Sequence, residues 1–213
     1  MMLNARKMLL AALTVLLFGG FASFTQAAPT GKDRGEVISI QDDTGKPAKK
    51  VRAQLGDTYP VVCKDLICPV DPKDILEANI AYYVLYDAYN KSTRRHHKKP
   101  EKGIQWSNMI VRVNDKEAAK DLLVKLGSKG WHQLKIDPKM LKKGNNTVKI
   151  SLDGAKGYLY LAIDTSKPAS RSSSSSNRGR TFSYKTLNPG RKSTIKGEYM
   201  IRLKLKVKKK LAS

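Results

Sequence analysis

The stretch from 130 to 164, GWHQLKIDPKMLKKGNNTVKISLDGAKGYLYLAID, admits few folds. It reads as three short strands cut by turn chemistry. Leu134 and Ile136 begin an alternation that Asp137-Pro138 stops. Lys143-Gly144-Asn145-Asn146 makes a turn, because Gly and Asn tolerate the positive φ of tight turns. Val148, Ile150 and Leu152 then alternate with Thr147, Lys149 and Ser151. After Asp153-Gly154, Leu159, Leu161 and Ile163 alternate with Tyr158, Tyr160 and Ala162. Period-two alternation gives each strand one apolar face. Two such strands joined by a short Gly-containing turn predict a hairpin of an antiparallel sheet. The apolar face of that sheet needs a cover, and a second sheet is the usual one.

The flanks extend the pattern. Tyr199, Ile201, Leu203, Leu205 and Val207 alternate with Met200, Arg202, Lys204, Lys206 and Lys208, the cleanest strand in the chain. Glu36–Ile40 is a short first edge strand. Ile80 to Tyr89 carries apolar residues on both phases, which predicts a central strand covered on both faces. Trp106 to Asn114 is a further strand, with Met109, Val111 and Val113 on one face. In Asp115 to Leu126, by contrast, Ala118, Leu122, Leu123 and Leu126 fall at helical spacing behind an acidic start. This predicts one short crossover helix, ended by Gly127 or Gly130.

These residues carry a resemblance. A Trp before an alternating strand, the run Met140 to Ile150 (MLKKGNNTVKI) and then Gly157 to Asp164 (GYLYLAID) resemble the galactose-binding-domain-like superfamily. Many carbohydrate-binding modules belong to that superfamily. Met109 to Asn114 is similar to the strand that enters a "VNG" turn in such modules, although Asp115 stands where Gly is usual. Gly197 to Leu205 resembles their closing strand. The resemblance spans about residues 78 to 207 and implies an all-β, antiparallel β-sandwich of jelly-roll type. It also implies a structural calcium ion near the sandwich rim, for which Asp164 and Glu198 are candidate ligands.

Residues 1–27 read as a secretory signal. Arg6 and Lys7 precede an apolar run from Met8 to Phe18, and Thr25-Gln26-Ala27 forms a small-x-small cleavage site. An uncleaved anchor is the rival reading. With the segment removed, no stable transmembrane span is expected and the protein is exported to periplasm, cell surface or medium. Residues 28–58 form a flexible basic lead-in with the first edge strand, 59–207 the sandwich, and 208–213 a basic tail. Ser170 to Arg180, low in complexity and polar, reads as a mobile loop. Cys63 and Cys68 are too few for a zinc site. In an exported chain they predict a small disulfide loop, and in a cytosolic one two thiols.

The 213 residues carry 41 Lys and Arg against 18 Asp and Glu, a formal charge of +23. Such a chain is biased towards polyanions: nucleic acid, anionic lipid or acidic polysaccharide. Export argues against nucleic acid. Asn90 to Gly103 is a basic loop in which His96 and His97 lack further ligands at metal spacing. No nucleophile elbow, zincin helix or phosphate loop is present, so the chain reads as non-catalytic. Asp153 and Asp164, which flank one strand, sit at turn positions where Asp bonds locally.

Phase supplies the candidate ligand site. With the apolar sets inward, Tyr158, Tyr160, Arg202, Lys204, Lys206 and Lys149 point outward, and Trp131 is out of phase with Leu134 and Ile136. On one shared sheet these residues would mix aromatic plates with cationic donors, which suits an anionic glycan. A solvated face is the plain alternative, and for Trp131 a packing role. The rival functional class is an adhesion or assembly protein that contacts other cell-envelope proteins.

Overall fold

The structure is a computed structural model. It describes residues 35–48, 52–55, 61–86, 89–90, 95–96, 108–122, 129–153, 159–166, 171–184, 187 and 195–209. The expected signal segment, Trp106, Tyr158 and most of the basic loop lie outside the described residues.

Two antiparallel sheets pack face to face. The seven-stranded sheet is centred on β4 (Ile75–Tyr86), which lies between β9 (Gly130–Ile136) and β14 (Ile201–Val207). Beyond Tyr82, β11 (Leu159–Asp164) takes over the β14 side of β4. The outer margin is one stretch of chain in two pieces: β1 (Glu36–Ile40) pairs with β14, and β2 (Arg52–Leu55) pairs with β11. The short β13 (Glu198–Tyr199) pairs with the end of β11. The second sheet has the order β12 (Ser172–Ser175), β3 (Val61–Cys68), β10 (Gly144–Asp153), β7 (Asn108–Val113) and β8 (Lys116–Leu122). A separate two-stranded ribbon joins β5 (Tyr89–Asn90) to β6 (Arg95–His96).

Apart from the β5–β6 ribbon and the paired β7 and β8, successive strands from β3 to β13 pass back and forth between the sheets, the wrapping of a jelly-roll-type sandwich. This corrects the predicted hairpin. β10 and β11 each show the expected alternation, but they belong to opposite sheets and face one another across the core. Alternation records that one face is apolar. It does not record whether the next strand lies alongside or opposite.

The core is filled from both sheets. Val148, Ile150 and Leu152 of β10 meet Leu159, Leu161 and Ile163 of β11 and Ile201, Leu203 and Leu205 of β14 in one buried cluster. Each such side chain contributes about 1.5–3 kcal/mol by leaving water. β4 is central, as its two-phase apolar pattern predicts: inward Ile80, Tyr82 and Val84 and outward Ala81 are all buried.

Three other expectations are corrected. Among the described residues of the predicted crossover helix, Lys116–Leu122 is strand β8, paired with β7. Asn114 and Asp115 at φ 51° and 67° make the left-handed two-residue turn that joins paired strands, and ladder pairing overrides the helical spacing. The serine run is not a loop throughout: β12 pairs with β3, and its four residues are buried. Serine is small enough to lie under the 176–184 segment, which returns to pair Ser183 with Ser174.

The third correction concerns the cysteines. Both lie on β3 and both are free and buried. Five residues of extended strand hold them about 17 Å apart at roughly 3.3 Å per residue. Their odd spacing also places them on opposite faces, with Cys68 in the core. The predicted disulfide loop is not formed.

Candidate functional site

The outer face of the seven-stranded sheet gathers most of the predicted site. Because Ile201, Leu203, Leu205 and Val207 face the core, Arg202, Lys204 and Lys206 project outward from β14 and are half-buried. The register sets Lys204 opposite Asn79 of β4, which is opposite Lys135 of β9. Lys206 stands opposite Glu77, and Arg202 opposite Ala81, itself opposite Gln133. Ala81 is small, so the row above it is open for larger neighbours.

Trp131 fills that row. Its being out of phase with Leu134 and Ile136 means that it lies on the other face of the same strand, without a bulge. The ring meets Tyr83 edge-on at 5.4 Å and 85°, and the Arg202 guanidinium carbon lies 4.1 Å from the Trp131 ring centre. Arg202 is held in turn by Asp43, to which its Nε donates at 3.1 Å and its Nη2 in a close ion pair. Asp43 is buried and also accepts from the Gly45 amide at 2.9 Å. Planar guanidinium, carboxylate and indole therefore fix one another. Tyr160 of β11 is half-buried on this same outer face, opposite Gln54 of β2.

Lys149 does not join them. It projects from β10 on the outside of the five-stranded sheet, where its Nζ pairs with Asp115 at 2.5 Å and lies 5.1 Å from the Phe182 ring centre. Tyr158 lies outside the described residues. The face thus unites Trp131, Tyr160, Arg202, Lys204 and Lys206, and adds Tyr83, Asp43 and Lys135.

The candidate calcium ligands are otherwise engaged. Asp164 accepts from the amides and hydroxyls of Thr44 and Ser166 at 2.6–2.9 Å. Burial pushes its carboxyl up, but the bonds from Ser166 and Thr44 outweigh this and hold it well below the usual carboxylate range. Glu198 faces the Lys64 ammonium at 3.1 Å and accepts from Ser172 Oγ at 2.6 Å. With Asp164 taken up by the Thr44 and Ser166 donors and Glu198 by an ammonium, these residues do not fit the ion. Asp153, on the five-stranded sheet, accepts from the Asn108 amide and pairs with Lys120 at 2.7 Å.

Sequence reasoning missed a second group. Lys64 lies between Val62 and Leu66 on the inward phase of β3 and is fully buried. A lysine in an apolar phase was the available signal. Residues 42–44 join both regions: Asp42 reaches inward to Lys64, Asp43 outward to Arg202, and Thr44 to Asp164. Elsewhere, a recess of about 410 Å³ at the far end of β14 is lined by Glu36, Asp71, Asp74, Lys143 and Lys208, without aromatic residues. Among known proteins, the chain matches no protein-family model and no curated sequence.

Proposed function

We propose that the protein is an exported, non-catalytic carbohydrate-binding sandwich that takes anionic glycans on the outer face of its seven-stranded sheet. The observation that carries this reading is the Trp131–Arg202 stack beside Lys204, Lys206 and Lys135. Sugar rings present apolar C–H faces that lie on aromatic rings. Carboxylate and sulfate groups pair with guanidinium and ammonium donors. The resemblance to galactose-binding-domain-like modules and the charge of +23 support the same ligand class.

The test is binding to a panel of neutral and anionic polysaccharides at low and high salt. One sugar type retained at high salt, and lost in Trp131→Ala, is the expected result. Binding to every polyanion that vanishes with salt would reduce the face to unspecific charge, since exposed pairs are screened within about 10 Å. Binding to no glycan would leave the rival role, assembly with other envelope proteins.

A further inference from the structure

We propose that Lys64 and Asp42 condense with one another to an intramolecular amide, with Glu198 as the group that moves the protons. Lys64 Nζ sits inside the sandwich, where it donates to the Tyr199 carbonyl at 2.7 Å and to Glu198 Oε2 at 3.1 Å. It is also in ion-pair contact with Asp42 Oδ1. The Lys64 side chain has 0% exposure, Asp42 19% and Glu198 2%. Neither carboxylate oxygen of Asp42 is aligned to accept a hydrogen bond, although both are buried. One amino group therefore meets two carboxyls in a largely apolar interior.

That arrangement is unfavourable as three ions and favourable as reactants. Burial disfavours every charged form, and one ammonium cannot neutralise two carboxylates. Burial pushes the Asp42 carboxyl up and the Glu198 charge adds to the rise, against the pull of Lys64 and, more weakly, of Arg171. Moving one proton from the ammonium to Asp42 leaves a neutral amine in contact with a carboxylic acid. Those are the partners of amide formation, already oriented by the fold.

The step balances without a further reagent. The Lys64 nitrogen lone pair attacks Asp42 Cγ, and Glu198 takes the proton that the nitrogen sheds. Glu198 then delivers it to the departing hydroxyl, so one C–N bond forms, one C–O bond breaks and one water leaves. Glu198 is fixed for this by Ser172 Oγ at 2.6 Å and the Arg171 amide at 3.1 Å. In the product two buried charges are gone, and the amide N–H keeps Glu198 as its acceptor. The bond would tie the 41–48 segment, between β1 and β2, to β3 in the opposite sheet.

The experiment is mass spectrometry of the folded protein with its thiols reduced. The expected intact mass is one water below that of the chain as processed. Trypsin should fail to cut after Lys64, and the peptide carrying Asp42 should appear joined there. Glu198→Gln should restore the full mass with unchanged circular dichroism. Ser172→Ala, which removes a donor to Glu198 and the acceptor of the Tyr199 amide, should give linked and unlinked chains together. Full mass and normal cleavage after Lys64 in the folded parent would overturn the proposal and leave a buried ion pair. Water loss confined to the Asp42 peptide, a cyclic imide, would overturn it equally. A bond persisting in Glu198→Gln would remove Glu198 from the reaction.

Discussion

Arg202 is clamped between an indole and a carboxylate: its guanidinium carbon stands 4.1 Å from the Trp131 ring centre while Nε donates to Asp43 at 3.1 Å. Replacing Arg202 with Met removes both contacts and leaves the buried Asp43 with the Gly45 amide as its remaining hydrogen-bond donor among the described residues. The expected loss is about 2 kcal/mol, the range for a charge-assisted bond whose partner is stranded. Urea unfolding monitored by tryptophan fluorescence measures it. Trp131→Ala should cost stability less and polysaccharide affinity more.

Asp164 sets an acid limit on the fold. Its carboxyl is held low in the folded state, so it binds a proton more readily when unfolded. Its contribution is complete above the unfolded value of about 3.9 and is lost as pH falls below that towards the depressed folded value. Stability measured from pH 6 downward should therefore decline through this window. In Asp164→Asn it should start lower and decline less steeply.

The two thiols should be countable and slow. Burial pushes the Cys63 thiol up to about 11, so little thiolate exists at neutral pH, and Cys68 lies in the core. A thiol reagent should label neither quickly in the folded protein and both after denaturation without reductant. Two unlabelled cysteines in the denatured, unreduced protein would restore the disulfide.

At the β7–β8 turn, side chain and backbone requirements separate. Asn114, at φ 51°, donates to the Met140 carbonyl at 2.9 Å and to Asn146 at 3.0 Å, and accepts from the Thr147 amide at 3.2 Å. Asn114→Ala should cost about 2–3 kcal/mol, because it removes these three bonds and places Ala at positive φ. Asp115, at φ 67°, has an exposed carboxylate paired with Lys149. Asp115→Gly relieves the backbone and gives up only a surface pair, so thermal unfolding should move by no more than about 2 °C either way.

Strand faces were legible in the sequence; strand neighbours were not. The inward sets of β10, β11 and β14 follow from alternation, and with them the outward Arg202, Lys204, Lys206 and Tyr160. The assignment of β10 to the opposite sheet, which removes Lys149 from the face, depends on pairing between distant segments. No local pattern carries that information. The β8 stretch reads as helix because Ala118 and Leu122 suit either period, and the partner strand β7 decides between them. The partners of Asp42, Asp43 and Lys64 were illegible for a third reason. Each takes its role from a residue more than 20 positions away, on an element whose placement only the closed sandwich defines.

The pairing of β1 with β14, from Glu36 opposite Val207 to Ile40 opposite Leu203, governs the order in which the chain can be assembled. The first strand finds its partner only after nearly all the intervening chain has been made. β2 likewise waits for β11. A chain dominated by such long-range closures folds slowly, on the scale of milliseconds to seconds. During synthesis its early strands stay unpaired until the closing strands are made. Arg202, Lys204 and Lys206, spaced along the last strand, place like charges between its apolar residues and oppose edge-to-edge association until β4 receives it.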